Sequence, residues 1–188
     1  MKTLGFLLAL LAISSAASEP KFKVFTAESL DQFMVFGQIA PGFEAEIRHA
    51  TAQHPRLKRV WIESSGGLLL EAKHTAELFN ERGITIRVAG TCASACAALW
   101  AASDRRELMP GARLGLHAGL PVKRAPGLLE YIISPARQKI SDDMLRHAGF
   151  PEALIRKGNQ TPHNSILWLT PSELSSSGVK FTLVGTAT

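Results

Sequence analysis

Residues 59–90 read RVWIESSGGLLLEAKHTAELFNERGITIRVAG, and the period of the apolar positions changes twice along them. Arg59-Val60-Trp61-Ile62 is a short β-branched and aromatic run, the pattern of a buried strand. Ser64-Ser65-Gly66-Gly67 reads as a tight turn. From Leu68 the apolar residues Leu68, Ala72, Ala76 and Phe79 recur at helical spacing until Gly83 stops them, and Ile84 to Ala89 is again strand-like. The alternation continues with a helix expected over Ala93–Ser103 and a strand over Ala112–Leu116. A βαβαβ run of this length predicts an α/β domain with a mainly parallel sheet flanked by helices, and such sheets hold ligands beyond the carboxyl ends of their strands.

Outward from this centre, Phe22–Phe25 and Met34–Ile39 read as strands. After Pro41-Gly42 a helix is marked by Phe43, Ile47 and Ala50 and ends at His54-Pro55. On the other side, Gly127–His147 reads as helical, with Pro135 expected to break or kink it, and a short helix follows over Pro151–Lys157. Ile166–Leu169 is apolar, Thr170-Pro171-Ser172-Glu173 has the form of a capping box with a first-turn proline, and Lys180–Val184 reads as a last strand.

The chain begins MKTLGFLLALLAISSAASEP. Lys2, the apolar run Leu4–Ile13 and the small residues Ser15-Ala16-Ala17 have the order of a secretory signal peptide, with cleavage expected after Ala17. That leaves residues 18–188 as one domain, exported to the periplasm or secreted, or held at the membrane if the signal stays uncleaved. The formal net charge of +5 comes from basic residues scattered along the chain without interleaved aromatics, so no nucleic-acid partner is expected. With two cysteines, six dispersed histidines and no HExxH or paired CxxC, no metal site is expected. Cys92 and Cys96 are spaced to bridge one helical turn, and in an exported chain an isolated pair reads as a disulfide.

Adjacent glycines before a helix allow close approach to backbone N–H groups that favour developing negative charge, although Gly66-Gly67 serves equally as a plain turn. Ser94 lies among small residues near a helix start, where a serine is either a cap or a nucleophile, and its surroundings lack the GxSxG pattern. His117 ends an apolar strand, as a packed histidine or as a base.

Taken in order, Ile62-Glu63-Ser64-Ser65-Gly66-Gly67, Thr91-Cys92-Ala93-Ser94-Ala95-Cys96, Arg105-Arg106 and Gly115-Leu116-His117 resemble the serial motifs of the Clp protease proteolytic subunit and its exported relatives in the Clp-protease/crotonase superfamily. The resemblance spans Val35 to Val184, and its most specific part is the CASAC run. It implies repeated β-β-α units, Ser94 as nucleophile, His117 as general base, and the backbone N–H groups of Gly67 and Ala95 as an oxyanion hole. A serine hydroxyl needs such a base to take its proton. Where the family offers an aspartate, this chain reads Thr161-Pro162-His163-Asn164-Ser165, and Asn164 matches that place. An amide orients an imidazole without stabilising its cation.

The expectation is therefore an exported serine hydrolase acting on a peptide or small acyl substrate, without cofactor. A peptide is expected to lie between Gly66-Gly67 and Ala118–Arg124. The alternatives are a non-catalytic module that captures a peptide or partner in the same cleft, and acyl-thioester chemistry of the crotonase kind, which export disfavours. Homo-oligomers occur on this fold, and a cytoplasmic unfolding ATPase is not expected as a partner after export.

Overall fold

The computed structural model describes residues 22–27, 31–119 and 134–185. The expected signal segment, residues 1–17, lies outside them, as does residues 120–133 with most of the loop after His117 and the start of the expected helix over Gly127–His147. Among the described residues the architecture is α/β: eight strands in one mixed sheet, with six helices. No helix among the described residues is long and apolar enough to cross a membrane.

The chain enters through an antiparallel pair, β1 (Phe22–Ala27) and β2 (Gln32–Gly37). It then alternates: α1 (Phe43–Gln53), β3 (Arg59–Ser64), α2 (Leu69–Arg82), β4 (Thr85–Ala93), α3 (Ala95–Ala102) and β5 (Arg106–Leu108). Strands β2, β3, β4 and β5 are parallel neighbours in sequence order. Right-handed crossovers that all step in one direction carry their helices to one face. Among the described residues the covering helices accordingly lie on one face: Phe33, Val35, Val60, Ile62, Ile86 and Val88 are buried under α1, α2 and α3, and alternate residues point outward. On that outward face Glu107 accepts from Arg59 at 3.0 Å and from Arg87 at 2.6 Å, and the Arg87 guanidinium lies 4.6 Å over the Trp61 ring.

Strand β4 serves two partners. Its first half pairs with β5, and its second half pairs with β6 (Arg113–Leu116), which carries β7 (Leu167–Leu169) antiparallel beyond it. The register explains the split. Ile62 lies opposite Val88 and Ser64 opposite Cys92, so the single residue Glu63 faces Ala89, Gly90 and Thr91. The extra residues make a bulge, and bulges bend and twist the strand that bears them.

The remaining elements are α4 (Pro135–His147), α5 (Glu152–Gln160), α6 (Pro171–Ser176) and β8 (Thr182–Leu183), which pairs parallel with β5. Pro135 does not kink a helix; it occupies the first turn of α4, where its missing N–H would have had no partner. The capping box is formed as expected, with the Thr170 hydroxyl accepting from Glu173 N and Glu173 accepting from Thr170 N. Leu68 departs from the expected stripe. It precedes α2 and is exposed, while Ala72, Ala76 and Phe79 are buried.

Arg105 and Arg106 hold chain ends together. Arg105 donates to Gly83 O at 3.0 Å, closing the end of α2. Arg106 donates to Lys180 O at 3.0 Å, to Ala101 O at 3.1 Å and to Ser103 O, joining the end of α3 to the approach to β8. Burial lowers the Arg106 pKa, the nearby Asp104 charge partly opposing it, and the guanidinium stays charged. Arg106→Met should leave these carbonyls without their donor and lower stability by about 2 kcal/mol, read as a fall in urea midpoint. An unchanged midpoint would show that water replaces the guanidinium without loss.

Candidate functional site

Ser94 sits where β4 ends and α3 begins, with φ 55° and ψ −126°. It and Asp31 are the only non-glycine residues with positive φ among the described residues. A side chain in this region is strained by roughly 1–3 kcal/mol and persists only where the surroundings over-determine it. The turn has the strand-to-sharp-bend-to-helix form that presents a side chain at a sheet edge, although its sequence lacks the GxSxG pattern.

Three features hold the bend. Ser94 N donates to Gly115 O at 2.8 Å, tying it to β6. Cys92 and Cys96 form a disulfide with Cα atoms 5.2 Å apart, and both are fully buried. The pair was expected on one helical turn; instead Cys92 belongs to β4 and Cys96 to α3, so the bridge spans the bend with Ser94 at its middle. A loop this short restrains the unfolded chain by only about 2 kcal/mol in the chain-entropy account, so its main effect is local. Third, Gly66 is pressed against the bend. A Cβ there would lie 2.6 Å from Ala93 O, 2.7 Å from Ser94 Cβ and 2.9 Å from Ala95 N.

The Gly66-Gly67 turn is itself locked to Ile39, two residues beyond β2, by an isolated parallel bridge. Ile39 N donates to Gly66 O, and Leu68 N donates to Ile39 O, each at 2.8 Å. A Cβ on Gly67 would strike Ile39 O at 2.2 Å. The Gly66 N–H is taken by the buried Ser64 hydroxyl at 3.0 Å. Between these bonds the Gly67 N–H has no acceptor among the described residues. Ala95 N is the first N–H of α3 and has none within the helix. The two expected oxyanion donors therefore belong to turns packed on one another at Gly66.

His117 follows directly on β6. Since Ala93 pairs with Gly115, Ser94 and His117 leave adjacent parallel strands at the same end. Both are half-buried. Their side chains are not hydrogen-bonded to one another. The ring's Nδ1 lies 2.7 Å from Ala118 O, and a carbonyl oxygen only accepts, so in the neutral ring Nδ1 carries the proton and Nε2 offers its lone pair. The Ala118 carbonyl is held in place by its own N–H, which donates to Thr161 O at 2.8 Å. Close packing does the rest: a Cβ on Gly115 would meet Ile166 Cγ2 at 2.6 Å, and one on Gly158 would meet Leu116 Cβ at 2.9 Å.

Asn164 makes no hydrogen bond to His117, whose Nδ1 faces Ala118 O. It is exposed in the turn closed by Ser165 N donating to Pro162 O at 2.8 Å, and His163 beside it is exposed too. What sequence reasoning missed is that a main-chain oxygen can hold the imidazole. Gly66, Gly115 and Gly158 were its only visible signals, each marking a close backbone approach.

The chain matches none of the family models and none of the curated proteins with which it was compared.

The strained backbone at Ser94 is directly testable. Glycine relieves the strain but loses about 0.5–1 kcal/mol through the entropy of the unfolded chain. Ser94→Gly should therefore be about 1 kcal/mol more stable than Ser94→Ala by urea unfolding. Equal midpoints would mean that the bend carries no strain.

Proposed function

We propose that this chain is a serine hydrolase of the Clp-protease/crotonase fold type, exported and acting on peptides or small acyl compounds through an acyl-enzyme. The observation that carries the reading is the Ser94 bend, set beside the end of the strand that leads into a histidine whose Nδ1 is already engaged. Strained side chains cluster at functional sites. A disulfide across the bend suits an oxidising compartment.

In this reading His117 Nε2 takes the proton as Ser94 Oγ forms a bond to the acyl carbon. The carbonyl oxygen gains charge beside the Gly67 and Ala95 N–H groups, at the positive end of the α3 dipole. Collapse of the tetrahedral intermediate breaks the bond to the leaving group, which receives the proton from the imidazolium. Water, deprotonated by His117, then attacks the ester and restores Ser94. The Ala118 carbonyl fixes the tautomer but brings no net charge. Replacing the triad aspartate by asparagine costs about 10⁴ in turnover in a serine protease, so turnover here is expected to be slow.

A second reading, a binding module without turnover, is favoured by the absence of a hydrogen bond between Ser94 and His117. Covalent labelling separates the two readings because it requires attack rather than many cycles. A fluorophosphonate should label the wild type, and Ser94→Ala and His117→Ala should abolish or strongly reduce labelling while keeping the wild-type circular dichroism. Labelling that survives Ser94→Ala would remove Ser94 from the chemistry. No labelling of a folded wild type would favour the binding module.

Asn164→Asp gives a finer measurement. With Nδ1 held by Ala118 O and residue 164 exposed, the labelling rate should stay within about twofold of the wild type. A gain of tenfold or more, about 1.4 kcal/mol of barrier, would show that the 161–167 turn closes on His117 during reaction.

A further inference from the structure

The bulge that bends β4 also leaves a carboxylate in an odd position. Arg59, Trp61 and Glu63 alternate on the outward face of β3. Two cations of that face, Arg59 and Arg87, both bind Glu107, and Lys23 lies two strands from Glu63 across Phe36. Glu63 forms no ion pair among the described residues. Its one hydrogen bond is a long one, 3.5 Å, from the Thr91 hydroxyl. A carboxylate accepts at about four sites, so most of its capacity is open.

The carboxylate is also seated. At Gly90, inside the bulge, a Cβ would come within 2.7 Å of Glu63 Oε2 and 2.9 Å of Oε1, so a larger residue there would push the carboxylate out of this position. It lines an open cleft of about 450 Å³ with Gly37, Gln38, Ser64, Ser65 and Thr91. Every other side chain in that lining is neutral, so the cleft's single charge is negative. Glu63 is three residues from Gly66, which touches Ser94, and Thr91 is three residues from Ser94 itself. Three extended residues span at most about 10 Å, within reach of an arginine or lysine side chain anchored near the reacting bond.

We infer that this cleft is a subsite for a cationic side chain, and that Glu63 selects substrates carrying arginine or lysine close to the bond cleaved. The inference rests on the hydrolase reading for the word substrate; the subsite itself does not. Guanidinium donors match the two carboxylate oxygens, while Ser65, Thr91 and Gln38 supply neutral polar contacts around them. Because Glu63 is exposed, its attraction is screened and the discrimination is modest.

Two measurements test the subsite separately from the chemistry. In the first, the wild type is given the ethyl esters of acetyl-arginine and acetyl-norleucine. The kcat/KM ratio should favour arginine by about fivefold. Glu63→Gln should bring the ratio to about one, and Gly90→Ala, which keeps the charge but fills its seat, should lower it. A wild-type ratio near one, or a preference that survives Glu63→Gln, would overturn the subsite. In the second, acetyl-arginine amide is titrated by NMR into the Ser94→Ala chain, where no hydrolysis is needed. Shifts centred on residues 63–65 and 90–91, weakened about fivefold by adding Glu63→Gln, support the subsite even if neither ester is hydrolysed, an outcome that would count against the hydrolase reading alone. Binding that is absent or unaffected by Glu63→Gln overturns it.

Discussion

Between Ile62 and Ser64 the third strand has one residue; between their partners Val88 and Cys92 the fourth strand has three. A strand with that surplus cannot keep both neighbours in register along its length. It pairs with β5 before the bulge and with β6 after it, and the turn toward β6 aims the end of β4 at the sheet's edge. The disulfide, the Ser94 bend and the strand leading to His117 all lie beyond the bulge. The room made at Gly90 for the Glu63 carboxylate lies within it. The site is a consequence of register before it is a matter of side chains.

Holding a serine at φ 55° requires more than one restraint, and the surroundings supply several independent ones. The Gly66 backbone fills the space beside the bend, the hydrogen bond to Gly115 fixes its direction, and the covalent bridge ties both flanks in a dry interior. Each comes from a different element. Loosening one leaves the others, which is how a strained residue persists in a domain whose total stability is on the order of 5–15 kcal/mol.

The helices were legible because apolar spacing and proline or glycine punctuation are local signals, and α1, α2 and the α6 capping box fall within a residue or two of their expected places. Strand β5 was not. Arg106-Glu107-Leu108 has neither alternation nor an apolar run, and is a strand because β4 and β8 lie on either side of it. The placement of the described helices on one face was hidden for a related reason: strand order decides which face helices cover, and order is not a local property. At the candidate site Ser94 and His117 were singled out by the resemblance of the motifs that hold them, since by type alone each reads equally as a structural residue. The partner of the imidazole could not be, since a backbone carbonyl is carried by every residue and only its position distinguishes Ala118. Asn164 was named because it matches the place where the resembled family offers an aspartate. Glu63 was equally hidden, because a charged residue facing out of a strand looks the same whether or not a cation awaits it.

The Trp100 ring, buried at the centre of the domain, is capped by Phe181 at 5.9 Å. Nearby, Lys180 N donates to Ala148 O at 2.8 Å, and β8 completes the sheet beside β5. The last described stretch of the chain thus covers one side of its core. A polypeptide emerging amino-terminus first from a ribosome has already delivered nearly every apolar side chain of this core before the segment that seals it arrives. Contacts of such long sequence separation form slowly and leave apolar surface exposed meanwhile. The domain's vulnerable interval is therefore the one before residues 180–183 arrive, and a chain cut short before Lys180 would be left in that open state.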